Sequence, residues 1–217
     1  MANTTDAPSG RAFDAVLCDL DGVIRFFDHS VVTRGEREAG LPEGTTATIG
    51  FAPEHDGPLL LGRITRTQWA ESIAGALSSR VSRPRAEALA TAFTEADFWA
   101  DEQVVGVLRL LRGRCPLVLV TNATVWLDGD LAAMGLTDLA TSVVNSSLVG
   151  MVKPDPGIYR LAAGRVGARL DRCLFVDDRA ENVDAAIALG ATGVLYREVA
   201  DLERALAPLL REAPSHP

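Results

Sequence analysis

Val16-Leu17-Cys18-Asp19-Leu20-Asp21-Gly22-Val23 is the stretch from which the rest of the chain can be read. An apolar run ends in two carboxylates one residue apart, and a glycine follows. The run predicts a buried strand, within a first strand over residues 13–20, and Gly22 lets the backbone turn sharply away. Asp19 and Asp21 then emerge at the carboxyl end of a core strand, the edge where open α/β sheets bind ligands. Two anions crowded there are costly unless a cation or a shared proton relieves them. The stretch therefore points to a metal, a proton, or both.

Downstream of residue 99 an α/β rhythm follows. Helices are expected over 103–111, 126–134, 154–165, 180–189 and from about 198 to 210. Strands are expected over 116–121, 142–144, 173–177 and 193–196. Strands alternating with helices imply a parallel sheet. From 25 to 99 no strongly apolar strand run appears and helical patterns dominate. Thr65-Arg66-Thr67-Gln68 resembles a capping box opening a helix through 77. Ser82 is placed to cap a second helix, with Pro84 in its first turn, running to about 95. Residues 40–62, rich in Gly, Pro and Thr, read as a loop. The expected organisation is a Rossmann-like α/β core of residues 11–24 plus 100–212, a small helical insert over 25–99, and flexible tails at 1–10 and 213–217.

The bulk numbers exclude some functions. A chain of 217 residues with 47% hydrophobic content can bury a substantial core. A formal net charge of −8, with no basic stripe, argues against a nucleic-acid partner. No apolar run reaches transmembrane length and the first ten residues carry no signal core, so neither a membrane partner nor secretion is expected. Cys18, Cys115 and Cys173 form neither a metal-ligand spacing nor an even disulfide framework, which fits a reducing cytoplasm. Lys and Arg total 21, yet Lys153 is the single lysine. Where arginine serves, this chain uses arginine, which makes Lys153 a candidate for a place needing a compact ammonium.

Three polar clusters fall at expected strand ends: Asp19 and Asp21, Thr121-Asn122, and Asp177-Asp178. Lys153 lies in the loop before a helix, between the second and third. In parallel strands sharing one carboxyl edge, they form a single acidic pocket with one ammonium and one hydroxyl. Phosphoryl transfer wants such a set. Carboxylates bind a hard cation such as Mg²⁺, a carboxylate can attack phosphorus, and a second moves the proton. Lysine and a hydroxyl hold the equatorial oxygens.

In order along the chain, Asp-Leu-Asp-Gly-Val, Val-Thr-Asn, Lys-Pro-Asp-Pro and Val-Asp-Asp-Arg-Ala-Glu-Asn resemble the four motifs of the haloacid dehalogenase superfamily. The resemblance implies a Rossmann-like core, with the insert as the helical cap of the first subclass. It implies that Asp19 is nucleophile and magnesium ligand. Asp21 would be the general acid and base, its backbone carbonyl also reaching the metal. Thr121 and the Asn122 backbone N–H would bind the phosphoryl group, and Lys153 would pair with that group and with Asp19. Asp178 would ligate Mg²⁺ directly, Asp177 directly or through water, and Asn182 would fix the surroundings of the metal. The dehalogenases proper lack an aspartate two residues after the nucleophile, so Asp21 favours phosphate-ester hydrolysis of a small phosphorylated metabolite. Relatives that cleave phosphonates use a cap lysine, and residues 25–99 contain none. A phosphomutase of the same superfamily stays open; from other classes, so do a phospho-accepting receiver-like domain and a non-catalytic scaffold. Cys18 is expected on the opposite side of its strand from Asp19, in the core. Trp69 and Trp99 are expected to pack insert helices. The sequence assigns no role to Arg25, His29 or His55 in the insert, and no oligomeric state.

Overall fold

Ala15–Cys18 form the central strand β1, buried on both faces as its uninterrupted apolar sequence requires. The computed structural model describes residues 12–211. The expected tails, 1–10 and 213–217, lie outside the described residues, as do positions 11 and 212. Four further strands complete one parallel sheet: β4 (Leu117–Thr121), β5 (Ser142–Asn145), β6 (Cys173–Asp177) and β7 (Thr192–Leu195). Their order is β5-β4-β1-β6-β7, with Val16 opposite Leu117 on one side and Leu174 on the other. Later strands flank β1 on both sides, so its carboxyl end opens into the crevice where such sheets bind ligands. The Rossmann-like α/β expectation holds.

Alternation along β1 divides the core. Val16 and Cys18 join Leu119, Leu174 and Val176 on one face, under α6 (Glu102–Arg109), α7 (Leu127–Ala133) and α11 (Val199–Arg211). Ala15 and Leu17 join Val118, Val120 and Phe175 on the other, against α9 (Pro156–Arg165) and α10 (Ala180–Ala188). Cys18 is a core residue, and burial pushes its thiol pKa far up.

Between β1 and α6 the chain leaves the sheet through a short antiparallel strand pair, β2 (Arg25–Phe27) and β3 (Phe98–Ala100). These three-residue strands, Arg-Phe-Phe and Phe-Trp-Ala, are too short to show an alternating pattern and escaped the sequence reading. Five helices lie between them: α1 (Ser30–Glu38), α2 (Thr45–Gly50), α3 (Pro53–Leu60), α4 (Arg66–Leu77) and α5 (Arg83–Thr94). They enclose their own apolar cluster of Val32, Ile73, Leu77, Leu89 and Phe93. The capping box is present: Gln68 N donates to Thr65 Oγ1 and Thr65 N to Gln68 Oε1. Ser82 occupies the cap position of α5 but makes no side-chain cap bond.

The expected loop over 40–62 is instead largely α2 and α3. Long-range capping explains the difference. Glu36 of α1, 1% exposed, accepts from Gly44 N at 2.8 Å and Thr46 N at 2.6 Å, satisfying amides at the start of α2. Pro53 opens α3, where proline costs nothing. Among the described residues no helix is long and apolar enough to cross a membrane.

Glu36→Ala would leave two amide donors without a partner. It is expected to lower the unfolding free energy by about 2 kcal/mol, seen as a lower urea midpoint; an unchanged midpoint would remove Glu36 from this role.

Candidate active site

The carboxyl ends of β1, β4 and β6 bring the motif residues together. Asp19 leaves β1 with its N–H bonded to Val176 O at 2.9 Å, and its Oδ1 accepts from Leu20 N at 2.7 Å. The Lys153 ammonium sits 2.7 Å from Asp19 Oδ1 and 2.7 Å from Asp177 Oδ2. All three side chains are buried. The loop carrying Lys153 is pinned by Asn122, whose amide accepts from Lys153 N at 2.7 Å and donates to Lys153 O at 3.0 Å. The resemblance assigned Asn122 only through its backbone; this reciprocal side-chain pair is a further role, with no local sequence signal across 31 residues.

Asp177 is held from several sides. Besides Lys153 it accepts from Asn182 Nδ2, 3.1 Å from each oxygen, and from Arg179 N at 2.9 Å. Asn182 is thus placed as the residue that fixes an acidic group beside the site. Asp178 is half-buried, its carboxylate lying against Gly22. Carboxylate oxygens of Asp19, Asp177 and Asp178 lie within 4.8 Å of one another, a group that can hold a metal ion. Thr121 ends β4 fully buried, and its Oγ1 has no hydrogen-bond partner. Thr46 Oγ1 and His29 Nδ1, both in the insert, share that condition.

Asp21 stands apart. Its carboxylate is outside the acidic cluster and is gripped by Arg25, Nε to Oδ1 at 2.5 Å and Nη2 to Oδ2 at 2.9 Å. Of the residues the sequence left without a role, His29 stacks between Phe27 and Phe93, and His55 Nδ1 lies 2.6 Å from Ser72 Oγ. Trp69 packs within the insert, but Trp99 does not: it lies half-exposed on β3, stacked on Phe26.

The electrostatics follow from burial. Burial pushes the Asp19 carboxyl pKa up; Lys153 opposes the shift and Asp177 reinforces it. Asp178 moves the same way, through burial and then Asp177. Burial works against the Lys153 ammonium, but its two carboxylates outweigh that and raise its pKa. Lysine remains charged while the aspartates crowd, and a divalent cation or a shared proton would relieve them.

The insert rests on the core around this edge. Ser146, which opens the short α8 (Ser146–Val149), donates through Oγ to Leu60 O at 2.7 Å, and the Arg66 guanidinium lies 4.5 Å from the Trp126 ring centroid. Asp56 of α3, half-buried within the field of Arg179, has its pKa pushed up to about 6, chiefly by burial.

The family model for haloacid dehalogenase-like hydrolases matches residues 13–190, and the chain belongs to that family. It is 26% identical over 220 residues to bifunctional epoxide hydrolase 2 of Rattus norvegicus, covering 90% of this chain and 39% of that protein. It is 30% identical over 89 residues to flavin mononucleotide hydrolase 1 of Arabidopsis thaliana, covering 41% of this chain and 36% of that protein. The chain thus spans well under half the length of these curated relatives. In fold it is similar to a HAD-like family hydrolase from Porphyromonas gingivalis, with TM-score 0.67, 19% identity, and coverage of 93% of this chain and 100% of that one.

Gly22 is the tightest point of the site. Its φ is +78°, and an added Cβ would fall 2.4 Å from Asp178 Oδ2. Gly22→Ala should weaken Mg²⁺ binding by about tenfold or more in titration calorimetry. Gly135→Ala, at φ +67° with open space around it, is the control for backbone strain alone. Equal Mg²⁺ affinity in the two variants would contradict the role given to the Asp178 seat.

Proposed function

We propose that this protein is a Mg²⁺-dependent phosphomonoester hydrolase acting on a small phosphorylated metabolite. The observation that carries the reading is the Lys153 ammonium, shared at 2.7 Å between Asp19 and Asp177, together with the buried, unpartnered Thr121 hydroxyl at the end of the neighbouring strand β4. A phosphoryl group is the ligand whose oxygens use both donors, next to a carboxylate able to attack it. The fold alone does not choose the chemistry, since solved dehalogenases share it. Asp21 favours the phosphate ester, because a leaving alkoxide needs a proton and a leaving halide does not. The relative named as a flavin mononucleotide hydrolase points the same way.

In this reading an Asp19 oxygen forms a bond to phosphorus as the bond to the ester oxygen breaks. That oxygen takes a proton from Asp21 and departs as the alcohol. Water then attacks the aspartyl-phosphate, gives its proton to Asp21, and releases phosphate and free Asp19. Lys153 and Thr121 hold the equatorial oxygens throughout, and Asp177, fixed by Asn182, keeps Lys153 in place. Asp178 and Asp19 are the residues that would hold Mg²⁺, whose charge, when bound, offsets that of the phosphate among the carboxylates. The helical insert serves as a cap that keeps bulk water away and selects the substrate.

Screening phosphate monoesters with Mg²⁺ present should find turnover that chelation abolishes and Mg²⁺ restores. Asp19→Asn should remove all of it while circular dichroism stays unchanged. Retained activity in that variant would refute the nucleophile, and no turnover by the parent protein on any ester would refute the reading.

A further inference from the structure

Both oxygens of Asp21 are occupied by Arg25, so Asp21 can reach an ester oxygen only after part of that fork opens. Arg25 is poorly placed to lose a partner. It is 4% exposed, and its guanidinium carbon lies 5.0 Å from the Phe27 ring centroid and 5.6 Å from that of Phe98. An uncompensated charge in such surroundings is strongly unfavourable. The structure supplies a second carboxylate: Arg25 Nη1 donates to Asp130 Oδ2 at 2.7 Å, on α7, the helix that follows the Thr121-Asn122 loop. Asp130 is itself largely buried, and it is not part of the acidic group of Asp19, Asp177 and Asp178.

We propose that Arg25 and Asp130 are positioning residues for the acid–base carboxylate: Arg25 stores Asp21 in a bidentate grip, and Asp130 keeps Arg25 charge-paired when Asp21 turns to the substrate. The inference rests on the phosphatase reading and adds two residues to it. Arg25 begins β2, so the grip lies at the root of the strand pair that leads into the helical insert. The sequence assigned Arg25 no role, because its partner Asp130 is 105 residues away.

The test compares two substrates on the Mg²⁺-loaded full chain. A simple alkyl phosphate needs a proton on its leaving oxygen; 4-nitrophenyl phosphate does not. Asp130→Asn removes the alternative charge and makes release of Asp21 harder. Its kcat for the alkyl ester should fall about tenfold further than its kcat for the aryl ester, a fraction of the full worth of a general acid. Asp130→Glu, which keeps the charge, should bring the ratio of the two rates back toward the parent value. Arg25→Lys offers a single contact instead of a fork, so its alkyl-to-aryl ratio should equal or exceed that of the parent. An unchanged ratio in Asp130→Asn, or a selective alkyl loss in Arg25→Lys, would overturn the proposal while leaving the phosphatase intact. Should Asp130→Asn fail to fold, the Arg25→Lys ratio decides alone. A parent protein inactive on both esters would instead bring down the phosphatase reading, and this inference with it.

Discussion

The buried Lys153 ammonium between Asp19 and Asp177 is the contact on which the rest of the site depends. Three aspartates with oxygens within 4.8 Å of one another repel strongly in a site shielded from water. One fixed cation makes the cluster tolerable, and the remaining excess of negative charge is what a divalent ion would offset in the proposed reading. Each neighbour is arranged to keep that ammonium where it is. Asn122 holds its backbone from β4, Asn182 and Arg179 N hold Asp177 from the start of α10, and the end of β1 delivers Asp19. The use of lysine here, in a chain otherwise built with arginine, has a geometric reason: a point charge fits between two single carboxylate oxygens, whereas a planar fork asks for paired ones.

Arginine's own geometry appears where a paired contact is used. Arg25 grips both oxygens of Asp21 and adds Asp130, tying the first turn after β1 to α7 and to the β2–β3 pair. The two carboxylates of the opening motif are thus separated in environment although only one residue lies between them. Asp19 faces lysine and the acidic cluster; Asp21 faces arginine and is partly open to solvent. Such a division suits one group that attacks and another that carries protons.

Much of this was legible in the chain because parallel strands are buried on both faces. Val118-Leu119-Val120 and Leu174-Phe175-Val176 read as core strands for that reason, and polar residues just beyond them marked the ligand edge. What escaped depends on contacts between distant positions. The β2–β3 pair has three residues in each strand, too few for alternation to show. Helices α2 and α3 are hidden by Gly, Pro and Thr, and α2 is capped by Glu36 from another helix. The side chain of Asn122 and the Arg25–Asp130 contact leave no local trace at all, since nothing in the spacing of those residues announces that the fold closes them together.

A crystal structure with Mg²⁺ and a phosphate-mimicking oxyanion would test the account most directly. Mg²⁺ is expected at the Asp19 and Asp178 carboxylates, and the anion is expected to accept hydrogen bonds from Thr121 Oγ1 and the Lys153 ammonium. A cation bound elsewhere, or an anion that leaves Thr121 without a partner, would contradict it.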